Sequence, residues 1–171
     1  MSEHVIETER LVLRRLSTAD AEFILELLND PSFLRFIGDK GVRTLDDARA
    51  YVLNGPVQSY ETFGFGLYLA ALKDTLAPIG ICGLLKRDTL PDVDIGFAFL
   101  PGYRGKGYAS EAARATLVHG KDGHGLTRIV AITNPDNEAS IGLLEKLGFK
   151  FERITKLTDD APDVKLFAVE T

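Results

Sequence analysis

The chain has a single cysteine, Cys82, among 171 residues. That excludes an internal disulfide framework and leaves nothing from which to build a cysteine zinc cluster, so no metal site is expected. Long apolar runs are missing too: none approaches the roughly 20 residues a helix needs to cross a bilayer. Basic residues are not in surplus. The 20 Lys and Arg are outnumbered by 25 Asp and Glu, for a net charge of −5, and they are dispersed, which argues against a nucleic-acid or membrane-surface partner. The opening "MSEHVIETER" is polar and acidic, unlike a secretion signal, and the cytosol is the expected compartment. There is no internal repeat and no linker long enough to divide the chain, so residues 1–171 are expected to form one domain. What is present is globular in kind: 45% hydrophobic and 26% charged, with length enough to bury a sizeable core.

Strand and helix signals are mixed along the chain. "RLVLRRL" (10–16) has strand character, and "STADAEFILELLND" (17–30) reads as an amphipathic helix. Ser17 or Thr18 would cap it, with Phe23, Ile24, Leu27 and Leu28 on one face. Pro31 is expected to end it. "TLDDARAYVLNG" (44–55) predicts a second helix, with Thr44 as cap and Asp46 and Asp47 in its acidic first turn. Three strand-like runs follow: "FGLYLAAL" (65–72), "PIGICGLLKR" (78–87) and "VDIGFAFL" (93–100). Their short, turn-rich links favour an antiparallel meander. A helix over 108–119 precedes the strand "RIVAIT" (128–133), and "NEASIGLLEKLGF" (137–149) is a helix stopped by Gly148. "FKFERIT" and "VKLFAVE" close the chain as strands. The order β-α-α-β-β-β-α-β-α-β-β predicts an α+β class, one sheet beneath helices.

The stretch "FLPGYRGKGYASEAARA" (99–115) concentrates Gly102, Gly105 and Gly107 with Arg104 and Lys106 directly before a helix. Glycine costs backbone entropy, so the cluster needs a reason. It is not a Walker loop, because Leu100 stands where the first glycine of Gly-x-x-x-x-Gly-Lys belongs and Gly107 where Ser or Thr belongs. A dinucleotide fingerprint fits poorly: Ser110 takes the third glycine position, and no acidic residue ends the next strand. Two alternatives stay open on the residues alone. One is an ordinary strand-to-helix turn. The other is a cradle of backbone N–H groups at a helix N-terminus, where an anion gains about 0.3–1 kcal/mol and Arg104 and Lys106 add charge-assisted contacts.

"YRGKGYASEA" resembles the Arg/Gln-x-x-Gly-x-Gly/Ala signature of the GNAT superfamily of N-acetyltransferases, with Arg104, Gly107 and Ala109 at its marked positions. "NPDNEASIGLLEKLGF" (134–149) resembles that family's second coenzyme A motif. "TERLVLRRLSTADAEFILELLNDP" (8–31) resembles the N-terminus of the ribosomal-protein-alanine N-acetyltransferase branch. The resemblance implies a GNAT fold: a mixed, mostly antiparallel central sheet flanked by helices and splayed at the acetyl-coenzyme A site. It implies acetyl-coenzyme A as cosubstrate and a primary amine as acceptor, a protein N-terminus or a small molecule. Gly105, Lys106, Gly107, Tyr108 and Ala109 would offer backbone amides to the pyrophosphate, with Arg104 beside the phosphates. Phe97, Ala98, Phe99 and Leu100 match the strand that pantetheine pairs with, whose N–H groups polarise the thioester carbonyl. Asn137 would cap its helix and bond pantetheine.

Transfer in this family is direct attack by the amine, without an acyl-enzyme. Cys82 sits in the apolar run "IGICGLL" and reads as core. His4, His119 and His124 read as structural or solvated, and Glu111 as a complement to a helix N-terminus. Asp94 in "VDIGFAF" matches an acidic position of the branch that more often holds Glu, so the shorter side chain calls for a bridging water. It is the candidate base, with Asp159 and Asp160 as runners-up. Many members protonate the leaving thiolate with a tyrosine where this chain has Leu144, and Ser140 is the candidate partner of the coenzyme sulfur instead. A catalytically degenerate coenzyme A-binding sensor or scaffold is the alternative. The acceptor and the oligomeric state, a homodimer included, stay open.

Overall fold

The computed structural model describes residues 4–171. Met1, Ser2 and Glu3, part of the acidic opening stretch, lie outside the described residues. Among the described residues, eight strands join in one sheet: β1 (His4–Glu7), β2 (Leu11–Arg15), β3 (Leu67–Leu72), β4 (Pro78–Leu85), β5 (Asp94–Phe99), β6 (Arg128–Thr133), β7 (Lys150–Thr155) and β8 (Val164–Glu170). The spatial order is β1-β2-β3-β4-β5-β6-β8-β7. Every neighbouring pair is antiparallel except β5 and β6. The mostly antiparallel α+β expectation holds, and the meander of β3, β4 and β5 is as its short links predict.

Helices cover both faces. On one lie α1 (Ala21–Leu28), α2 (Pro31–Phe36) and α3 (Leu45–Val52); Ile24, Leu27, Leu28, Phe33, Ala48 and Val52 pack there against Val12, Leu69 and Ala71 of the sheet. On the other lie α5 (Tyr108–His124) and α6 (Glu138–Lys146), with Ala113 and Leu144 against Leu84, Ile95, Ile129 and Phe167. The segment after α3 continues through a π turn, Leu53–Val57, into α4 (Gln58–Phe63). Pro56 lies inside that turn; lacking an N–H, it cannot join an α ladder, and the wider turn accommodates it.

Two local expectations change. Ser17 is a cap, but of a short 3₁₀ turn, Thr18–Asp20, that leads into α1; its hydroxyl accepts from the Ala19 N–H at 3.3 Å and Asp20 returns the bond to the Ser17 N–H at 3.0 Å. Pro31 does not only follow a helix end. It opens α2, because the Asp30 carboxylate accepts from the N–H groups of Ser32 and Phe33, and proline suits the first helical position.

Between β5 and β6 the sheet comes apart. The two strands are parallel, and a single pair, Asp94 with Val130, is in register. The Val130 N–H donates to the Val93 carbonyl at 3.0 Å; no further residue of β5 pairs with β6. On its other side β5 remains zipped to β4 along its whole length, from Asp94 opposite Leu85 to Phe99 opposite Gly80. A fork therefore opens toward the C-terminal end of β5, just before the glycine turn.

Candidate active site

Gly105 and Gly107 both have left-handed backbones, φ +75° and +84°, which suits glycine and strains other residues. A Cβ on Gly105 would meet nothing within 4 Å, so conformation rather than space requires glycine there. Gly107 caps α5 with no side-chain bond. The first N–H groups of a helix have no partner within it, and those of Tyr108, Ala109 and Ser110 have none elsewhere among the described residues. The turn is anchored from behind. The Arg10 guanidinium donates to the Lys106 carbonyl at 3.0 Å and to Glu111 at 2.7 Å, and lies 4.3 Å from the Tyr108 ring centre. Thr8 and the Arg10 N–H also bond Glu111. Glu111 thus ties α5 to the chain between β1 and β2, and it is not placed as a base.

Arg104, expected beside the phosphates, is engaged by protein partners. Its Nε and Nη2 donate to the Phe99 carbonyl at 3.1 and 2.8 Å, Nη1 to the Ser32 hydroxyl at 3.0 Å, and Nη2 to the Asp30 carboxylate at 3.0 Å. Its charge is balanced by the residue that caps α2, so it latches the glycine turn to that helix. Lys106 is exposed and does not line the cavity described next.

Two cavities meet at the fork. One, about 610 Å³, runs past Phe97, Ala98 and Phe99, along Tyr103 to Gly105 and Gly107 to Ser110, and under Ser140 and Leu143 of α6. The other, about 450 Å³, is lined by Asp94, Arg87, Lys40, Tyr51, Phe33 and Pro162 among others. Phe33, Phe36, Ile37, Phe97, Ala98, Asn137 and Ser140 wall both, so the two are continuous.

Strand alternation decides which backbone groups reach the fork. The Leu100 N–H donates to Ile79 of β4 at 2.9 Å, and Ala98, two residues earlier, turns its N–H the same way. Leu100 and Ala98 therefore do not offer the amides expected of them. Ala98 contributes its side chain to the cavity wall, and Leu100 packs with the α1–α3 core. Phe97 and Phe99 turn their N–H groups toward the fork, beyond the last pairing with β6. The Phe99 carbonyl is already taken by Arg104.

Asp94 is 1% exposed and bonded by the Nε of Arg87 at 3.1 and 3.3 Å. Burial raises the proton affinity of its carboxyl above the ordinary value; the Arg87 charge and hydrogen bonds pull the other way without prevailing. Asn137 caps α6, its side-chain oxygen accepting from the Ser140 N–H at 3.2 Å, which holds Ser140 at the junction of the cavities. Leu144 is core. Cys82 is fully buried, with Sγ 3.4 Å from the Thr116 hydroxyl, and burial pushes its thiol up to about 12, far from a nucleophile's range. Asp159 and Asp160 lie exposed in the loop between β7 and β8. That loop meets the cavity through Leu157, Ala161 and Pro162 and not through either carboxylate, so geometry disfavours them as bases.

Arg87, Lys40 and Tyr51 were not singled out by motif. Arg87 ends a strand run in the sequence; in the fold it lies just past Leu85, the β4 residue that stands opposite Asp94.

The sequence pattern of the acetyltransferase (GNAT) domain matches residues 10–150. The chain belongs to the GNAT acetyltransferase family. It is 33% identical over 151 residues to a Bacillus subtilis (strain 168) protein described as uncharacterized N-acetyltransferase YnaD, covering 88% of this chain and 85% of that one. A GNAT-family acetyltransferase structure from Bacillus anthracis is 30% identical with a TM-score of 0.79, covering 96% of this chain and 97% of its own. A ribosomal L7/L12 alpha-N-protein acetyltransferase (RimL), solved in complex with coenzyme A, shares the fold at a TM-score of 0.83 and 19% identity, with 98% of each chain covered. The protein is an acetyl-coenzyme A-dependent acetyltransferase of this fold. The fork suits that cosubstrate: open N–H groups on β5 face the gap between β5 and β6, and the N-terminus of α5, which has no side-chain cap, stands at its mouth. Among the described residues no helix is long and apolar enough to cross a membrane, and no three His, Cys, Asp or Glu side chains gather as a metal site.

Proposed function

We propose that the whole chain works as one N-acetyltransferase domain that acetylates a primary amine by direct attack, with Asp94 as general base. The observation that carries this is the buried Asp94 carboxylate in a second cavity continuous with the coenzyme fork. Bound acetyl-coenzyme A supplies the activated thioester carbon. The N–H groups of Tyr108, Ala109 and Ser110, with the glycine backbones, receive the pyrophosphate at the positive end of α5. Phe97 and Phe99 donate to the pantetheine arm and the thioester carbonyl oxygen, a preorganised arrangement because the strand is fixed by β4. Asn137 keeps Ser140 at the junction, where its hydroxyl serves the leaving sulfur.

An amine attacks only when neutral. Terminal α-amines have a reference pKa of about 7.7–8.0 and lysines about 10.4, so the acceptor must surrender a proton at neutral pH. Asp94, raised by burial, accepts it better than an exposed carboxylate would.

Asp94→Asn should lower turnover by about 10²–10⁴-fold, read as thiol release from acetyl-coenzyme A, and leave coenzyme affinity nearly unchanged. The loss should shrink as pH rises toward the acceptor's own pKa. In the wild type, the acid limb of the kcat/KM profile should lie above 3.8, the ordinary aspartate value. Wild-type turnover in the variant at pH 7 would remove Asp94 from the mechanism. Coenzyme binding with no turnover of any amine would favour the sensor or scaffold reading.

A further inference from the structure

The acceptor cavity has a charge pattern that an amine acceptor alone does not explain. Arg87 spends only its Nε on Asp94. No protein hydrogen bond reaches its Nη1 or Nη2 among the described residues, and the side chain is 33% exposed along the cavity. Lys40, on the loop after α2, lines the same space. Although Lys40 is exposed as a whole residue, enclosure at its charged end and then the neighbouring Arg87 push its ammonium below the usual value. The phenol of Tyr51 also feels the Arg87 charge, and burial raises it, so it stays a neutral donor. Two cations and one phenol thus stand against the single carboxylate of Asp94. A polycation entering here would meet like charge beside its reacting amine. The wall on the α2 side is apolar, with Phe33, Phe36 and Ile37, and no other charged side chain lines the cavity among the described residues.

We propose that the acceptor carries an anionic oxygen group near its amine, held by the Nη atoms of Arg87 with Lys40 and Tyr51, while the amine points toward Asp94 and the fork. This rests on the acetyltransferase reading above and narrows it to carboxylated or phosphorylated amines, such as amino acids, in preference to polyamines or aminoglycosides. A guanidinium edge matches a planar carboxylate, and such charge-assisted bonds are stronger than neutral ones.

The test separates binding from turnover. Phenylacetate, phenyl phosphate and phenethylamine are titrated against the full chain without acetyl-coenzyme A, and the thermal midpoint is followed. The carboxylate or the phosphate should raise it and the amine should not; which anion acts more strongly tells the source of the oxyanion. The effect should disappear in Arg87→Met and fall in Lys40→Met, whose exposed loop position spares the fold. Turnover is then compared for phenylalanine and phenethylamine. The ratio of their kcat/KM values should drop about tenfold or more in either variant; a ratio of ratios cancels any general damage to the base. Equal or greater stabilisation by phenethylamine, or an unchanged ratio in both variants, would overturn the proposal while leaving amine acetylation intact. Anion binding with no turnover of any amine would instead count against the acetylation reading and not against this site.

Discussion

Asp94 shows how one residue's chemistry is set by its surroundings. In sequence it is an acid before Ile-Gly; in the fold it is buried against Arg87. Its partner was not legible, because strand register is a tertiary property and Arg87 carries no local mark. The raised carboxyl also has a consequence for stability. Between the ordinary aspartate value and the raised folded one, the fold holds a proton that the unfolded chain has released, so stability falls as pH rises through that window. Asp94→Asn removes this titration. The difference in thermal midpoint, variant minus wild type, should therefore move in the variant's favour from about pH 3 to pH 7; a flat difference would mean the carboxyl is not raised. Gly107 was legible as a special position, and its left-handed φ gives the reason. Gly107→Val should cost about 1–2 kcal/mol of stability from backbone strain and weaken acetyl-coenzyme A binding by about tenfold or more, read by calorimetric titration on folded protein. Unchanged affinity would exclude the glycine turn from the coenzyme site.

At the scale of elements, segments with a clear apolar pattern were readable, and two short ones without one, β1 and α2, were not. The runs for β3 to β6 and the helices at α1, α3, α5 and α6 carry their pattern over enough residues to be recognised. β1 has only four residues at an edge, and α2 six, marked by an Asp-Pro pair that serves as readily to end one helix as to start another. Missing α2 meant missing Phe33 and Phe36, which wall both cavities, and missing the true partners of Arg104. Asp30 now connects these facts, as cap of α2 and counter-ion of Arg104. Asp30→Ala should lower stability by about 0.5–2 kcal/mol and raise the KM for both substrates more than it lowers kcat, since the walls shift and the reacting groups do not. Asp30→Asn retains a capping oxygen and should recover most of the stability. If both variants behave alike, the ion pair rather than the cap holds α2.

Over the whole molecule, the decisive feature is that a continuous sheet fails at one seam. Antiparallel pairing extends from β1 to β5 and from β6 through β8 to β7, and the halves touch at a single parallel pair. The strand order was partly legible from link lengths, and the fork itself followed only from the family resemblance, since nothing local in "VDIGFAFL" or "RIVAIT" announces a missing ladder. The fork joins a cavity suited to acetyl-coenzyme A to one holding Asp94, and the only cysteine is sealed in the core with a raised thiol. On the direct attack proposed above, both substrates are present together and no acyl group passes through the protein. Initial rates with acetyl-coenzyme A varied at several fixed amine concentrations test this most directly. Direct transfer gives intersecting double-reciprocal lines, the pattern of a ternary complex; parallel lines, the ping-pong pattern of a covalent acetyl-enzyme, would contradict it.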